Sequence, residues 1–217
     1  MLRRLADVLQ RPQAYLGSHL RHALQQTSIA ALPFLYQRWV GWRLVLALQS
    51  MGFRAVNEPI GCLFLGGGIR LRTDDLEMSL WCEPRLLRAA HPSGLRAATR
   101  EAQPDYVLVF PGQGGRDAFV LDATLASSRT AQKARYREGI ELDAPRTIAG
   151  VPVRRRPLRA WAAAPTPTQH CDLHAPDGSV GTIPMLPGRF VDGPLRAWLQ
   201  DAIEHARAWA PIAKATG

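Results

Sequence analysis

Apolar residues recur at helical spacing early in the chain and predict one long helix. They fall at steps of four, three and four residues within residues 33–52, which is the spacing of one stripe along an α-helix. The members of this stripe are Leu35, Trp39, Trp42 and Leu46. Pro33 suits the first turn of the helix and Gly52 suits its end. The pattern therefore predicts a helix that buries this stripe.

Further along the chain, runs of β-branched and aromatic residues predict strands. The runs at residues 60–71 and 77–87 flank one turn. The runs at residues 106–110 and 118–125 flank the sequence Pro-Gly-Gln-Gly-Gly and predict a hairpin. The other predicted elements are a helix near 131–142, a strand at 147–153, a hairpin within 168–185 and a final helix near 194–210.

Together these elements predict one α/β domain over residues 31–217. Its mixed central β-sheet is expected to have about five strands and to be flanked by helices. Residues 1–30 hold two short amphipathic patterns separated by Pro12. We expect them to form an N-terminal helical extension, which either packs on the domain or docks a partner chain.

Two aspartates interrupt the apolar pattern of the hairpin. Asp105 precedes its first strand, Asp122 lies in its second strand, and both have neighbours that are expected to be buried. A buried carboxylate without a partner costs several kcal/mol, so each of them needs one. Two converging carboxylates most simply share a divalent cation, and Mg²⁺ or Mn²⁺ prefers such oxygen ligands.

These residues carry a resemblance to a known family. A Pro-Asp pair ending at Asp105, the hairpin with Asp122 and a following helix with Tyr136 and basic residues resemble the PD-(D/E)XK nuclease superfamily. The resemblance extends over residues 32–187 and is closest to small nuclease domains of bacterial restriction and defence loci. It implies a restriction-endonuclease-like core in which Asp105, Asp122 and the backbone carbonyl of Ala123 bind the metal ion.

Two positions depart from the family pattern. Thr124 stands where the motif lysine is expected, and a hydroxyl cannot supply the positive charge that helps to orient the attacking water. Residues 35–40, Leu-Tyr-Gln-Arg-Trp-Val, resemble the Leu-Tyr-Glu-x-Trp-Val of the family, with Gln37 in place of the glutamate. The resemblance thus implies a nuclease-like fold with a degenerate active site.

An active enzyme stays open as an alternative, because a lysine from another element could replace the missing one. The chain has 25 arginines and only two lysines, Lys133 and Lys214. Lys133 lies near the start of the helix that follows the hairpin, so it is the candidate for this catalytic role. The simpler interpretation is that Lys133 contacts phosphate or solvent, since position alone is weak evidence for a catalytic amine.

The formal net charge of +9 favours a polyanionic partner. Clustered cations gain entropy when they release counterions from a phosphate backbone, so we expect nucleic acid, and DNA in the first place. The candidate contacts are Arg129, Lys133 and Arg137 on one helix face, and the cluster Arg154, Arg155 and Arg156. A solvated surface in an arginine-rich chain would give the same pattern.

The cysteines and the hydropathy favour an intracellular location. Cys62, Cys82 and Cys171 are odd in number and lack CxxC spacing, which suits a reducing compartment. The first residues form no secretory pattern, and the chain contains no apolar run of membrane-spanning length. We therefore expect a cytoplasmic protein that is not attached to a membrane.

Three functions remain open from the sequence. The first is a nucleic-acid-binding protein with a degenerate nuclease site, which acts with a protein partner as a subunit of a bacterial defence or restriction system. The second is an active Mg²⁺-dependent DNA endonuclease in which Asp105, Asp122 and Lys133 carry catalysis. The third is a structural module that docks a partner protein. The first is preferred because both Gln37 and Thr124 depart from the family pattern.

Overall fold

The computed structural model describes residues 31–112, 115–126, 130–142, 146–148, 151–153 and 156–209. The helical extension predicted over residues 1–30 lies outside this part of the chain. The helices of the described residues are α1 (Leu32–Ser50), α2 (Pro59–Leu65), α3 (Thr130–Gly139) and α4 (Gly193–Trp209). Within the same residues, no helix combines the length and the apolar character that crossing a membrane requires.

The strands follow in the same chain order. The first six are β1 (Arg54–Ala55), β2 (Gly67–Arg72), β3 (Glu77–Cys82), β4 (Leu95–Ala97), β5 (Tyr106–Gly112) and β6 (Gly115–Ala123). The next six are β7 (Ile140–Leu142), β8 (Arg146–Ile148), β9 (Val151–Val153), β10 (Arg159–Ala164), β11 (Asp172–Leu173) and β12 (Val180–Pro184).

One mixed sheet organises the domain. Its strand order is β1-β2-β3-β5-β6-β10-β12-β11. Neighbours from β1 to β6 pair antiparallel, whereas β6, β10 and β12 pair in parallel. The predicted α/β fold with a mixed sheet flanked by helices is thus confirmed, but the number of about five strands is wrong, because the sheet has eight. The edge strands β1 and β11 have two residues each, too few to leave a period-two pattern in the sequence.

The sheet separates two hydrophobic clusters. On one face, α1 and α4 pack against alternate strand residues such as Leu108 and Phe119. On the other face, Val107 and Val120 pack with β4, β7 and Tyr136 of α3. These two sides are called the α1 face and the α3 face below. Because side chains alternate along a strand, each strand residue is assigned to one of the two faces.

Helix α1 lies close to its predicted bounds but buries a different face. The predicted stripe is only partly buried; its members are Leu35, Trp39, Trp42 and Leu46. The residues with 0 % exposure are instead Val40, Leu44, Val45 and Leu48. Gly41 explains the difference, because without a side chain it lets the helix approach Tyr106 closely. The bulky tryptophans therefore lie at the margins of the contact.

The close approach at Gly41 is expected to tolerate no added methyl group. A Cβ there would lie 2.4 Å from the hydroxyl oxygen of Tyr106 and 2.7 Å from Cδ2 of Leu63. Tyr106 is anchored, because its hydroxyl donates a hydrogen bond to the carbonyl oxygen of Gln37 at 2.6 Å. We predict that Gly41→Ala lowers the free energy of unfolding by about 2–3 kcal/mol in urea denaturation. Gly193→Ala is the control, since nothing lies within 4 Å of its added Cβ; equal losses in both variants would contradict this packing.

The strand predicted over residues 60–71 is wrong in its first half, which forms α2. Pro59 occupies the first turn of this helix, and the carboxylate of Glu58 caps it by accepting hydrogen bonds from two backbone N–H groups. Gly66 ends the helix with a φ of 81°, a left-handed conformation that glycine adopts without strain. The local capping residues therefore override the apolar pattern of this stretch.

Candidate active site

The β5–β6 hairpin brings the two predicted carboxylates together. Tyr106 pairs with Leu121 in its antiparallel ladder, so the next position in this register places Asp105 opposite Asp122. Side chains directly opposite one another lie on the same side of a sheet. Here that side is the α3 face, since Val107, two residues after Asp105, belongs to its cluster. Asp122 is buried and Asp105 is partly exposed.

Three contacts hold the carboxyl group of Asp105. Its Oδ2 accepts a hydrogen bond from the backbone N–H of Ala123 at 2.7 Å. Its Oδ1 accepts one from Nε2 of Gln37, also at 2.7 Å. A side-chain hydrogen bond joins it to Asp122. A hydrogen bond between two carboxyl groups requires that one of them carries a proton, so this contact favours the protonated form of Asp105.

The surroundings raise the pKa of Asp105 to about 8. Burial is the largest cause, since it disfavours the charged carboxylate, and the negative charge of Asp122 is the second. The hydrogen bond from the N–H of Ala123 favours the charged form and therefore acts in the opposite direction. Around neutral pH the aspartate pair consequently retains a proton.

Gln37 reaches the aspartate pair from α1. Its Nε2 donates hydrogen bonds to Oε1 of Glu83 at 3.0 Å and to Oδ1 of Asp105 at 2.7 Å. Both acceptors are carboxylate oxygens, so the amide must present its nitrogen to them and not its oxygen. A neutral amide thus bridges two acidic side chains at the position where the resemblance implies a glutamate.

Glu83 is a residue of this site that the sequence analysis missed. It follows β3, and its backbone N–H donates a hydrogen bond to the carbonyl oxygen of Asp105 at 2.7 Å. Its φ of 48° is left-handed, a conformation that is costly for a residue with a Cβ and that often marks functional sites. The sequence signal for Glu83 is weak, because it is a lone glutamate between an apolar run and Pro84.

Arg38 binds Glu83 from the opposite side. Its Nη2 forms an ion pair with Oε2 of Glu83, and its side chain is only 7 % exposed. Its Nε and Nη1 are buried and have no hydrogen-bond partner within the described part of the chain. The guanidinium carbon lies 4.5 Å from the ring centroid of Phe34, a cation–π contact. Arg38 therefore compensates the charge of Glu83, whereas the neighbouring Gln37 contacts Asp105 of the aspartate pair.

The ion pair of Arg38 and Glu83 is expected to contribute strongly to stability. Glu83→Gln would leave the buried charge of Arg38 uncompensated, so we predict a loss of about 2–3 kcal/mol in the free energy of unfolding. Adding Arg38→Met to this variant should recover most of the loss, because both charges are then absent. Urea denaturation at neutral pH measures four proteins: the wild type, Glu83→Gln, Arg38→Met and the double variant. Losses that simply add in the double variant would contradict the coupling.

The exposed ion pair of Arg85 and Glu101 provides the control for this experiment. Its side chains are 69 % and 44 % exposed. Exposed pairs contribute little because water and salt screen them. Glu101→Gln should therefore leave the urea midpoint almost unchanged.

Thr124 occupies the place of the motif lysine, immediately after β6. It is 5 % exposed, and its hydroxyl oxygen accepts a hydrogen bond from the backbone N–H of Ala126 at 3.1 Å. Its own N–H donates to the carbonyl oxygen of Ala163 at 2.9 Å. The hydroxyl is thus engaged in a local turn. It brings no positive charge to the aspartate pair.

The acidic side chains fit a divalent cation poorly as they stand. In the described part of the chain, no group of three His, Cys, Asp or Glu side chains is arranged to hold a metal ion. The amide hydrogens of Gln37 point at Glu83 and Asp105, into the space that a cation bridging these acids would need. Binding of Mg²⁺ or Mn²⁺ by Asp105, Asp122 and the carbonyl of Ala123 stays a prediction of the resemblance.

The predicted basic contacts are only partly described. The candidates outside the described residues are Arg129, Arg154 and Arg155. Lys133 lies in the first turn of α3, but its side chain is not among those described. One turn later, Arg137 forms an ion pair with Oδ2 of Asp177 at 3.2 Å, which offsets part of its charge. Arg156 is exposed. A catalytic Lys133 therefore stays a prediction.

The chain was compared with known proteins at three levels. No family model, no curated protein and no solved structure matches it. The resemblance to the PD-(D/E)XK superfamily consequently depends on the motif residues themselves.

Proposed function

We propose that this protein binds nucleic acid through a PD-(D/E)XK-like core whose active site no longer cleaves phosphodiester bonds. The observation that carries this proposal is the position of Gln37, whose amide donates to both Glu83 and Asp105. In a metal-dependent nuclease, acidic ligands bind a cation that generates the nucleophile and neutralises charge on the phosphate. In this protein the neutral amide of Gln37 donates hydrogen bonds to Glu83 and Asp105 instead, and the raised pKa of Asp105 favours its protonated form.

The chain order around the site supports the nuclease-like part of the proposal. An antiparallel hairpin of β5 and β6 presents Asp105 and Asp122, and a helix follows directly. After α3 the chain returns as β10, which pairs in parallel with β6 on the side away from β5. The resemblance implies a hairpin followed by a helix, and this order is what supports the proposal here.

The environment of Thr124 supports the loss of catalysis. The family lysine supplies a positive charge near the scissile phosphate, whereas the Thr124 hydroxyl accepts the N–H of Ala126. Arg38, the guanidinium closest in sequence to Gln37, is already paired with Glu83. Arginine is also a poor substitute for a lysine that must take part in proton transfer, since it stays charged.

The net charge of +9 supports the binding part of the proposal. A domain that binds but does not cut needs another chain to produce an effect on the nucleic acid. We therefore assign this protein the role of a subunit of a bacterial defence or restriction system, with DNA as the preferred ligand. This role follows the branch of the superfamily that the motif residues resemble.

The binding half of the proposal is tested with labelled duplex DNA, single-stranded DNA and RNA. Fluorescence anisotropy in a magnesium-free buffer measures the affinity of each at several salt concentrations. We expect binding to duplex DNA with an affinity that falls steeply as salt rises, because phosphate contacts release counterions. Absence of binding to all three ligands at low salt would overturn the proposal and favour a purely structural module.

A further inference from the structure

Three arginines of the β1–β2 edge share one exposed face of the sheet. Arg54 and Arg72 are Cα partners in the antiparallel pair of β1 and β2. Side chains of such partners point to the same side, and Arg70 shares that side because it lies two residues from Arg72. All three are exposed. They are called the arginine edge below.

The arginine edge lies on the same face as the aspartate pair. Arg70 pairs with Ser79 of β3, and Ser79 pairs with Val109 of β5. Val109 belongs to the cluster on the α3 face, as the assignment of Asp105 also requires. Two strand spacings and four residues along β5 separate Arg70 from Asp105, so their Cα atoms are about 16 Å apart. The layer of β4, β7 and α3 covers the sheet around Val107 and Val109, so a polyanion on the arginine edge lies beside this layer.

The charges of the arginine edge form no ion pair among the described residues. The arginines with ion pairs in the described residues are Arg38, Arg43, Arg85, Arg96, Arg137, Arg159 and Arg207. Arg54, Arg70 and Arg72 form none there, although Glu77 is the Cα partner of Arg72 on β3. Like charges directly opposite one another destabilise a strand pair. The pair Arg54 and Arg72 is therefore a cost that a bound anion would reduce.

We infer that the arginine edge binds the phosphate backbone of duplex DNA. Guanidinium groups donate two parallel hydrogen bonds to a phosphate, which suits them to this contact. Successive arginines on one strand face are about 7 Å apart, so Arg70 and Arg72 contact different phosphates. The contact carries no base readout and fixes the position of the duplex along the β1–β2 edge of the sheet. This inference rests on the proposed function and names the surface that performs it.

The test compares the triple variant Arg54→Gln, Arg70→Gln and Arg72→Gln with the wild-type protein. Affinity for labelled duplex DNA is measured by anisotropy over a range of salt concentrations. Loss of three phosphate contacts should make the negative slope of log affinity against log salt shallower by about 2.7. It should also weaken binding roughly 100-fold at about 0.15 M salt. Replacing the same three arginines with lysine should keep most of the salt dependence of the affinity, because the positive charges remain. The glutamine triple should also be at least as heat-stable as the wild type, because repulsion is removed.

A matched triple controls for net charge. Arg100, Arg189 and Arg196 are exposed arginines elsewhere on the surface, and their change to glutamine removes the same charge. If both glutamine triples weaken binding equally, the inference is overturned while nucleic-acid binding itself stands. If the wild type binds anionic lipid vesicles but no nucleic acid, both the inference and the proposed function are overturned.

Discussion

Gln37→Glu is expected to convert the site into one that needs a metal ion to be stable. The amide now donates hydrogen bonds to Glu83 and Asp105. A carboxylate at the same place would put a further negative group against these two acceptors, with no hydrogen to donate. We predict that the free energy of unfolding falls by about 3 kcal/mol at about pH 8 without divalent cations, as for an uncompensated buried charge.

Mn²⁺ or Mg²⁺ should restore most of the stability that the Gln37→Glu variant loses. A ligand that binds only the folded state at about 100 times its dissociation constant stabilises it by about 2.7 kcal/mol. Thermal unfolding with and without Mn²⁺ measures the effect in the variant and in the wild type. Gln49→Glu, at an exposed position of the same helix, controls for added charge on α1. A Gln37→Glu protein as stable as this control without metal would contradict the assigned hydrogen bonds.

The stability of the wild-type protein is expected to fall as the pH rises from about 4 to about 8. Burial and the charge of Asp122 raise the pKa of Asp105 to about 8. In the unfolded chain an aspartate loses its proton near pH 4, so within this window the folded state binds a proton that the unfolded state has released. Proton release therefore favours unfolding as the pH rises, and a pKa of about 8 in place of about 4 corresponds to a contribution on the order of 5 kcal/mol.

Asp122→Asn should remove the part of this pH dependence that the charge of Asp122 causes, while the part caused by burial stays. Its amide donates a hydrogen bond to Asp105 in place of the proton that the pair retains, and the second negative charge is gone. Urea denaturation across the window should give similar stabilities near pH 5 and a more stable variant near pH 8. Asp74→Asn, at an exposed turn position, is the control. Parallel curves for wild type and Asp122→Asn would contradict a proton retained by the pair.

The aspartate pair could be predicted from the sequence because its geometry is local. Asp105 and Asp122 lie at one end of a single hairpin, and the hairpin has a clear pattern of apolar residues and glycines. The proximity of Gln37 was implied only by the family resemblance. The structure brings Gln37 to Asp105 through the packing of α1 on the sheet, and the apolar periodicity of α1 predicted another buried face.

Other parts of the site depend on long-range register, which the sequence does not encode in its local pattern. Glu83 reaches Asp105 because β3 pairs with β5 and because its backbone is left-handed. Arg54 and Arg72 become partners only when β1 pairs with β2. For the same reason, the helix predicted near residues 131–142 ends earlier, at Gly139, and Ile140 enters β7. The three residues of β7, Ile-Glu-Leu, are too short a pattern to distinguish helix from strand.

The most direct test of the central claim is a cleavage assay with purified protein. Supercoiled plasmid, single-stranded DNA and RNA are incubated with Mg²⁺ or Mn²⁺, beside an Asp122→Ala control. The account predicts that neither protein nicks, linearises or degrades any substrate, while the wild type still binds DNA. Cutting by the wild type that disappears in Asp122→Ala would contradict the account and would make Lys133 the next residue to replace.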